Sequence, residues 1–210
     1  MRTRIKICGL TRADDVDAAV NAGVDAIGFV FYAPSPRCLS IEQATALAAH
    51  VPPFVTKVGL FVNENESAVK QILSSITLDL LQFHGEEDEA YCRSFGRPYI
   101  KAARVRPGLD LVEFVRSYPS ATGLLLDSYV EGYGGKGEMF DWSIIPSWLP
   151  LPMILSGGLH GGNVAAAIRQ LHPWAVDVSS GVESSKGIKD ATKIADFVTA
   201  VKYADSLPIS

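Results

Sequence analysis

A thiol at position 8 and a carboxylate at position 127 occupy matching places in their segments. Cys8 closes Arg4-Ile5-Lys6-Ile7-Cys8, and Asp127 closes Thr122-Gly123-Leu124-Leu125-Leu126-Asp127. Each ends a short apolar run at the point where polar chain begins. A thiolate beside a cation can abstract a proton, which makes Cys8 a candidate base, and the glycine-rich segment after Asp127 points to a functional carboxylate there. Type and spacing also allow structural roles, Cys8 as a small buried apolar residue and Asp127 as a cap of the following turn.

The elements that must bring them together follow from alternating patterns. Short strands are expected over 4–8, 26–31, 56–62, 78–83, 99–103, 122–127, 153–156 and 175–179. Helical patterns lie between them over 13–22, 41–49, 66–74, 87–95, 109–117, a weak turn after Asp141, 162–171 and 190–203. Thr11 with Asp14 and Ser40 with Gln43 have capping spacing, and Gly23 stands where a helix stops. Eight such units point to an α/β fold, one (β/α)8 TIM-barrel domain with short loops spanning 1–210, with an open doubly wound sheet as the other arrangement. Barrels put chemistry at the C-terminal ends of their strands, where Cys8 and Asp127 stand.

Side chains alternate along a strand, so Lys6 and Cys8 share one face, as do Leu125 with Asp127 and Asp177 with Ser179. Ile5 and Ile7 belong against the helices, which turns Lys6 inward. An inward lysine needs a partner, and strands one and eight adjoin in a closed barrel, so Lys6 is expected to pair with Asp177 beneath Cys8. The glycines and serines of Ser156-Gly157-Gly158 and Ser179-Ser180-Gly181 follow strands seven and eight, the usual phosphate position in such barrels. Arg37, in Ser35-Pro36-Arg37, has the fork geometry for a carboxylate or is a solvated loop residue. Gln82 and His84 share parity near the fourth strand exit, as pocket lining or as satisfied core groups. Cys38 and Cys92 read as buried structural thiols. His50, His160 and His172 have no ligand spacing, so no metal is assigned.

A chain of 210 residues with 20% charged residues and net charge −4 carries no basic field for nucleic acid or an anionic membrane. Its apolar runs are too short for a membrane span, the Met1-Arg2-Thr3-Arg4 start is no signal peptide, and three cysteines make no disulfide framework. A cytoplasmic enzyme of small solutes is the expectation.

The ordered set Lys6-Ile7-Cys8-Gly9-Leu10-Thr11, Ser35-Pro36-Arg37, Gly59-Leu60-Phe61-Val62-Asn63, Leu81-Gln82-Phe83-His84-Gly85, Leu126-Asp127-Ser128, Gly134-Gly135-Lys136-Gly137 with Phe140-Asp141-Trp142, Leu155-Ser156-Gly157-Gly158-Leu159 and Asp177-Val178-Ser179-Ser180-Gly181-Val182-Glu183 resembles the phosphoribosylanthranilate isomerases of tryptophan biosynthesis. The resemblance implies a cofactor-free Amadori rearrangement of phosphoribosylanthranilate by a monomer or homodimer. It implies that Asp127 is the general acid and Cys8 the general base, that Arg37 holds the anthranilate carboxylate, and that the loops after strands seven and eight bind phosphate. Lys136 departs from the hydroxyl residue more usual there and reads as solvated on a mobile loop; Asp141 reads as a cap. The alternatives are the histidine-pathway isomerase, whose two-aspartate design lacks a counterpart to Cys8, and a non-catalytic sugar-phosphate-binding barrel.

Overall fold

The computed structural model describes residues 2–128 and 141–208, so the glycine-rich 132–137 segment with Lys136 lies outside the described residues. Eight parallel strands close into one barrel in sequence order. They are β1 (Arg4–Cys8), β2 (Ala26–Phe31), β3 (Thr56–Phe61), β4 (Leu80–Phe83), β5 (Tyr99–Val105), β6 (Gly123–Ser128), β7 (Met153–Leu155) and β8 (Ala175–Val178). Closure leaves no edge strand, and it makes β8 a direct neighbour of β1 with Lys6 opposite Asp177.

Between the strands run α1 (Ala13–Ala22), α2 (Ile41–Ala48), α3 (Glu66–Ser75), α4 (Glu89–Arg93), α5 (Leu111–Arg116), a 3₁₀ turn Trp142–Ile144, α6 (Val164–Leu171) and α7 (Ala191–Ser206). Strand parity divides the core. Ile5, Ile7, Ile27, Phe29, Phe61 and Phe83 pack outward under the helices, whereas Leu80, Ile100, Ala102, Leu125, Ile154 and Ala175 fill the lower barrel. The upper barrel is polar, and that is where chemistry is possible.

Local signals hold at several boundaries. Ser40 and Gln43 form both halves of a capping box, and Gly23 ends α1 in the left-handed conformation at φ 85°. Asp141 accepts from the Ser143 N–H and so caps the short 3₁₀ turn. Thr11 is a correction: its hydroxyl donates to the Gly187 carbonyl, and α1 begins after Arg12 with no side-chain cap. A second difference is an antiparallel pair, β9 (Glu183–Ser185) and β10 (Ile188–Lys189), inserted between β8 and α7. Its polar sequence gives no strand alternation. Among the described residues no helix is long and apolar enough to cross a membrane.

Candidate active site

Cys8 leaves β1 into a crowded, buried position. It sits opposite Gly28 of β2, where a Cβ would come within 2.8 Å of the Cys8 sulfur and 3.2 Å of Lys6 Cε. Only a missing side chain leaves this room. One layer below, Lys6 Nζ lies 2.9 Å from Asp177 Oδ1, with both side chains buried.

Charge and burial oppose one another here. Burial pushes the Cys8 thiol up, Lys6 pulls it back, and the net direction is upward. For Lys6, burial favours loss of the proton, but the attraction of Asp177 and of the Cys8 sulfur outweighs it, so the ammonium is held more firmly than usual. The cation expected beside the thiol is therefore present, while the pocket's dryness works against the thiolate.

Asp127 leaves β6 at a less buried place. Its Oδ1 accepts the Ser128 N–H at 2.9 Å, and its Oδ2 lies 3.0 Å from His84 Nε2. His84 is in turn held through Nδ1 by the Gln82 amide at 3.0 Å. With the amide donating to Nδ1, the ring proton is on Nε2 and points at the carboxylate. Gly157, at φ 78°, brings the β7 loop so close that a Cβ would lie 2.6 Å from Ser128 N. Expected as a phosphate ligand, this glycine also presses against the Asp127 exit.

One pocket collects these groups. Its wall includes Cys8, Arg37, Gln82, His84, Asp127 and Asp177, and its rim carries Gly157 and Gly158 after β7 and Ser179 and Ser180 after β8. Gly181 lies behind the rim in the turn Ser180–Val182, against the Leu159 carbonyl. Val30 and Leu60 supply an apolar side suited to a flat ring. Among the described residues no cluster of three or more His, Cys, Asp or Glu could hold a metal ion.

Arg37 is buried rather than solvated, and one fork of its guanidinium is already engaged. Nε and Nη2 donate to Glu183 Oε1 and Oε2 at 2.6 and 2.8 Å, leaving the Nη1–Nη2 end free of hydrogen bonds among the described residues except that one Nη2 bond. Glu183 also accepts from Lys189 Nζ at 2.9 Å. Neither residue was singled out from sequence: Glu183 stands in a recognisable segment, but nothing in its spacing names a partner 146 positions away.

A family model described as N-(5'phosphoribosyl)anthranilate (PRA) isomerase matches residues 5–200. The chain belongs to the PRA isomerase family. The isomerase of Dechloromonas aromatica is 62% identical over 205 residues, covering 98% of this chain and 99% of the relative. The solved PRA isomerase of Thermotoga maritima matches with a TM-score of 0.87 at 41% identity, covering 96% and 99% of the two chains. Another solved PRA isomerase, described in complex with reduced 1-(o-carboxyphenylamino)-1-deoxyribulose 5-phosphate, has a TM-score of 0.83 at 39% identity, with 96% and 99% covered.

Proposed function

We infer that this chain catalyses the Amadori rearrangement of N-(5-phosphoribosyl)anthranilate to 1-(2-carboxyphenylamino)-1-deoxyribulose 5-phosphate in tryptophan biosynthesis. One observation carries the reading of the site: a thiol and a carboxylic acid from β1 and β6 open on a single pocket that also holds an arginine and a glycine–serine rim.

In the reaction, Asp127 as the acid gives its proton to the furanose ring oxygen. The bond from that oxygen to the anomeric carbon breaks while the nitrogen lone pair forms the C=N bond, leaving an open-chain Schiff base and an Asp127 carboxylate. The Cys8 thiolate takes the proton from the sugar's second carbon, and the released electron pair forms the enolamine double bond and neutralises the nitrogen. Loss of the enol hydroxyl proton and protonation of the first carbon then give the ketone. Cys8 then gives up the proton it took and Asp127 regains one, so both groups end as they began, the net change is an isomerisation and no redox partner is called for.

Lys6 supports this as the counter-cation of the thiolate, with Asp177 holding it in place. His84 and Gln82 orient the acid. Arg37 receives the anthranilate carboxylate on its open end, and Gly157, Gly158, Ser179, Ser180 and Gly181 receive the phosphate. The reading is of one domain over 1–210, a cytoplasmic monomer or homodimer whose partner is the small-molecule substrate.

The test is turnover of phosphoribosylanthranilate by the purified chain, followed through loss of anthranilate fluorescence. Arg37→Ala is expected to raise KM about tenfold or more while sparing kcat. Tight binding of the substrate without turnover would restore the non-catalytic barrel.

A further inference from the structure

Beside Arg37 and Ser179 stand two buried charged residues that the proposed reaction does not use. Glu183 and Lys189 face each other across the β9–β10 pair, directly in register. Both are buried, at 8% and 3% exposure. Glu183 grips Arg37 with both oxygens, and Lys189 Nζ bonds Glu183 Oε1 at 2.9 Å, the Ser179 carbonyl at 3.0 Å and Ser179 Oγ at 3.2 Å. Two cations thus share one carboxylate, and the cluster touches two residues of the pocket lining, Arg37 and Ser179.

Two geometric consequences follow. A guanidinium bound through Nε and Nη2 has its plane fixed, and the Nη1–Nη2 end is then aimed in one direction. An ammonium has only donors, so Ser179 Oγ accepts from Lys189 and its own proton must point elsewhere. Burial alone would raise the Glu183 carboxyl, but Arg37 and Lys189 hold it below the usual carboxylate range, so it stays an anion. Burial draws the Lys189 ammonium down against the attraction of Glu183.

We propose that Glu183 and Lys189 are positioning residues: Glu183 fixes the Arg37 fork for the substrate's aromatic carboxylate, and Lys189 turns the Ser179 hydroxyl proton toward its phosphate. One buried charge cluster then serves both anionic ends of the substrate. This rests on the reading of Arg37 and the rim given above.

The probe is reduced 1-(o-carboxyphenylamino)-1-deoxyribulose 5-phosphate, together with two analogues, one without the ring carboxylate and one without the phosphate, each titrated calorimetrically. In the unaltered protein each deletion should weaken binding. Glu183→Gln should weaken the parent compound about tenfold yet change the carboxylate-free analogue by less than about twofold, because its effect passes through Arg37. Lys189→Met should spare the phosphate-free analogue in the same way. In turnover both variants should raise KM with kcat within about twofold.

Equal weakening of every ligand, or none, overturns the proposal and leaves the cluster as a structural clasp. If the unaltered protein binds the carboxylate-free analogue as tightly as the parent, the Arg37 reading itself fails, and this is seen before any variant is made. Should Glu183→Gln not fold, Glu183→Asp, which keeps the charge and withdraws it by one methylene, carries the same comparison with the same two outcomes.

Discussion

His84 of the loop after β4 reaches across to Asp127 of β6, Nε2 to Oδ2 at 3.0 Å, while the Ser128 N–H holds the other carboxylate oxygen. Delivering a proton to one ring oxygen, the role proposed for Asp127, needs a fixed direction, and two contacts on two oxygens supply it. Asp127→Asn is expected to cut kcat by ~10² to 10⁴ with the melting temperature little changed. His84→Ala should lose less, about 10- to 100-fold in kcat at nearly constant KM. Fluorescence turnover checks both, and full activity in Asp127→Asn removes Asp127 from the acid role.

Cys8 is held above the ordinary thiol range by burial, with Lys6 as the opposing influence. The proposed base is the deprotonated form, so its fraction grows as pH rises, and alkylation of Cys8 by iodoacetamide, followed by peptide mass spectrometry, should quicken toward the alkaline side, a readout that does not need Asp127 to keep its proton. Lys6→Met removes the cation and leaves Asp177 facing the thiol, so the rising limb should move further alkaline. Cys8→Ala should lower turnover by ~10² to 10⁴. A pH profile that is unchanged in Lys6→Met would dismiss Lys6 as the activating cation.

The Lys6–Asp177 pair is buried on both sides, and breaking it strands one charge. Asp177→Asn is expected to cost about 3–5 kcal/mol of stability by urea unfolding. The double variant Lys6→Met with Asp177→Asn should recover part of that loss, since no unpaired ammonium remains. A double variant less stable than Asp177→Asn alone contradicts this account.

Around α4 and β5, buried and half-buried acids keep their protons late. Burial is the leading cause for Cys92, Tyr91 and Tyr118, each pushed up to about 12 from ordinary values of 9.0 for the thiol and 10.0 for the phenols. Folded-state values above unfolded ones mean that unfolding releases protons in this window. The stability these groups contribute is complete below pH 9 and is lost as pH rises toward 12. The urea midpoint should fall across that range, and Tyr118→Phe should make the fall shallower. A midpoint constant from pH 9 to 12 would refute the linkage.

Much of the barrel was legible because period-2 apolar runs sit between capped helical segments. β1, β2 and α1 have the bounds their patterns predict, and strand parity together with barrel closure placed Lys6 against Asp177. Other features depend on contacts no local pattern encodes. The helix expected over 87–95 begins only at Glu89, because the Glu87 carboxylate accepts from Asn63 N and Gly85 N and pairs with buried Lys101. The β9–β10 pair was invisible because its buried members are charged, and burial of Glu183 and Lys189 makes sense only with Arg37 in view. His84 follows β4 and Asp127 lies in β6, strands that are not neighbours, so pairing rules did not bring them together.

Gly28 gives the sulfur of Cys8 and the lysine chain below it the space that a side chain would fill. The thiol proposed as the base therefore depends on an empty volume belonging to another strand. For anyone reshaping this pocket toward a new substrate, the second strand is not neutral ground: adding even one methyl at that level competes with the thiol's own seat, so redesign has its freedom on the apolar side near Val30 and Leu60.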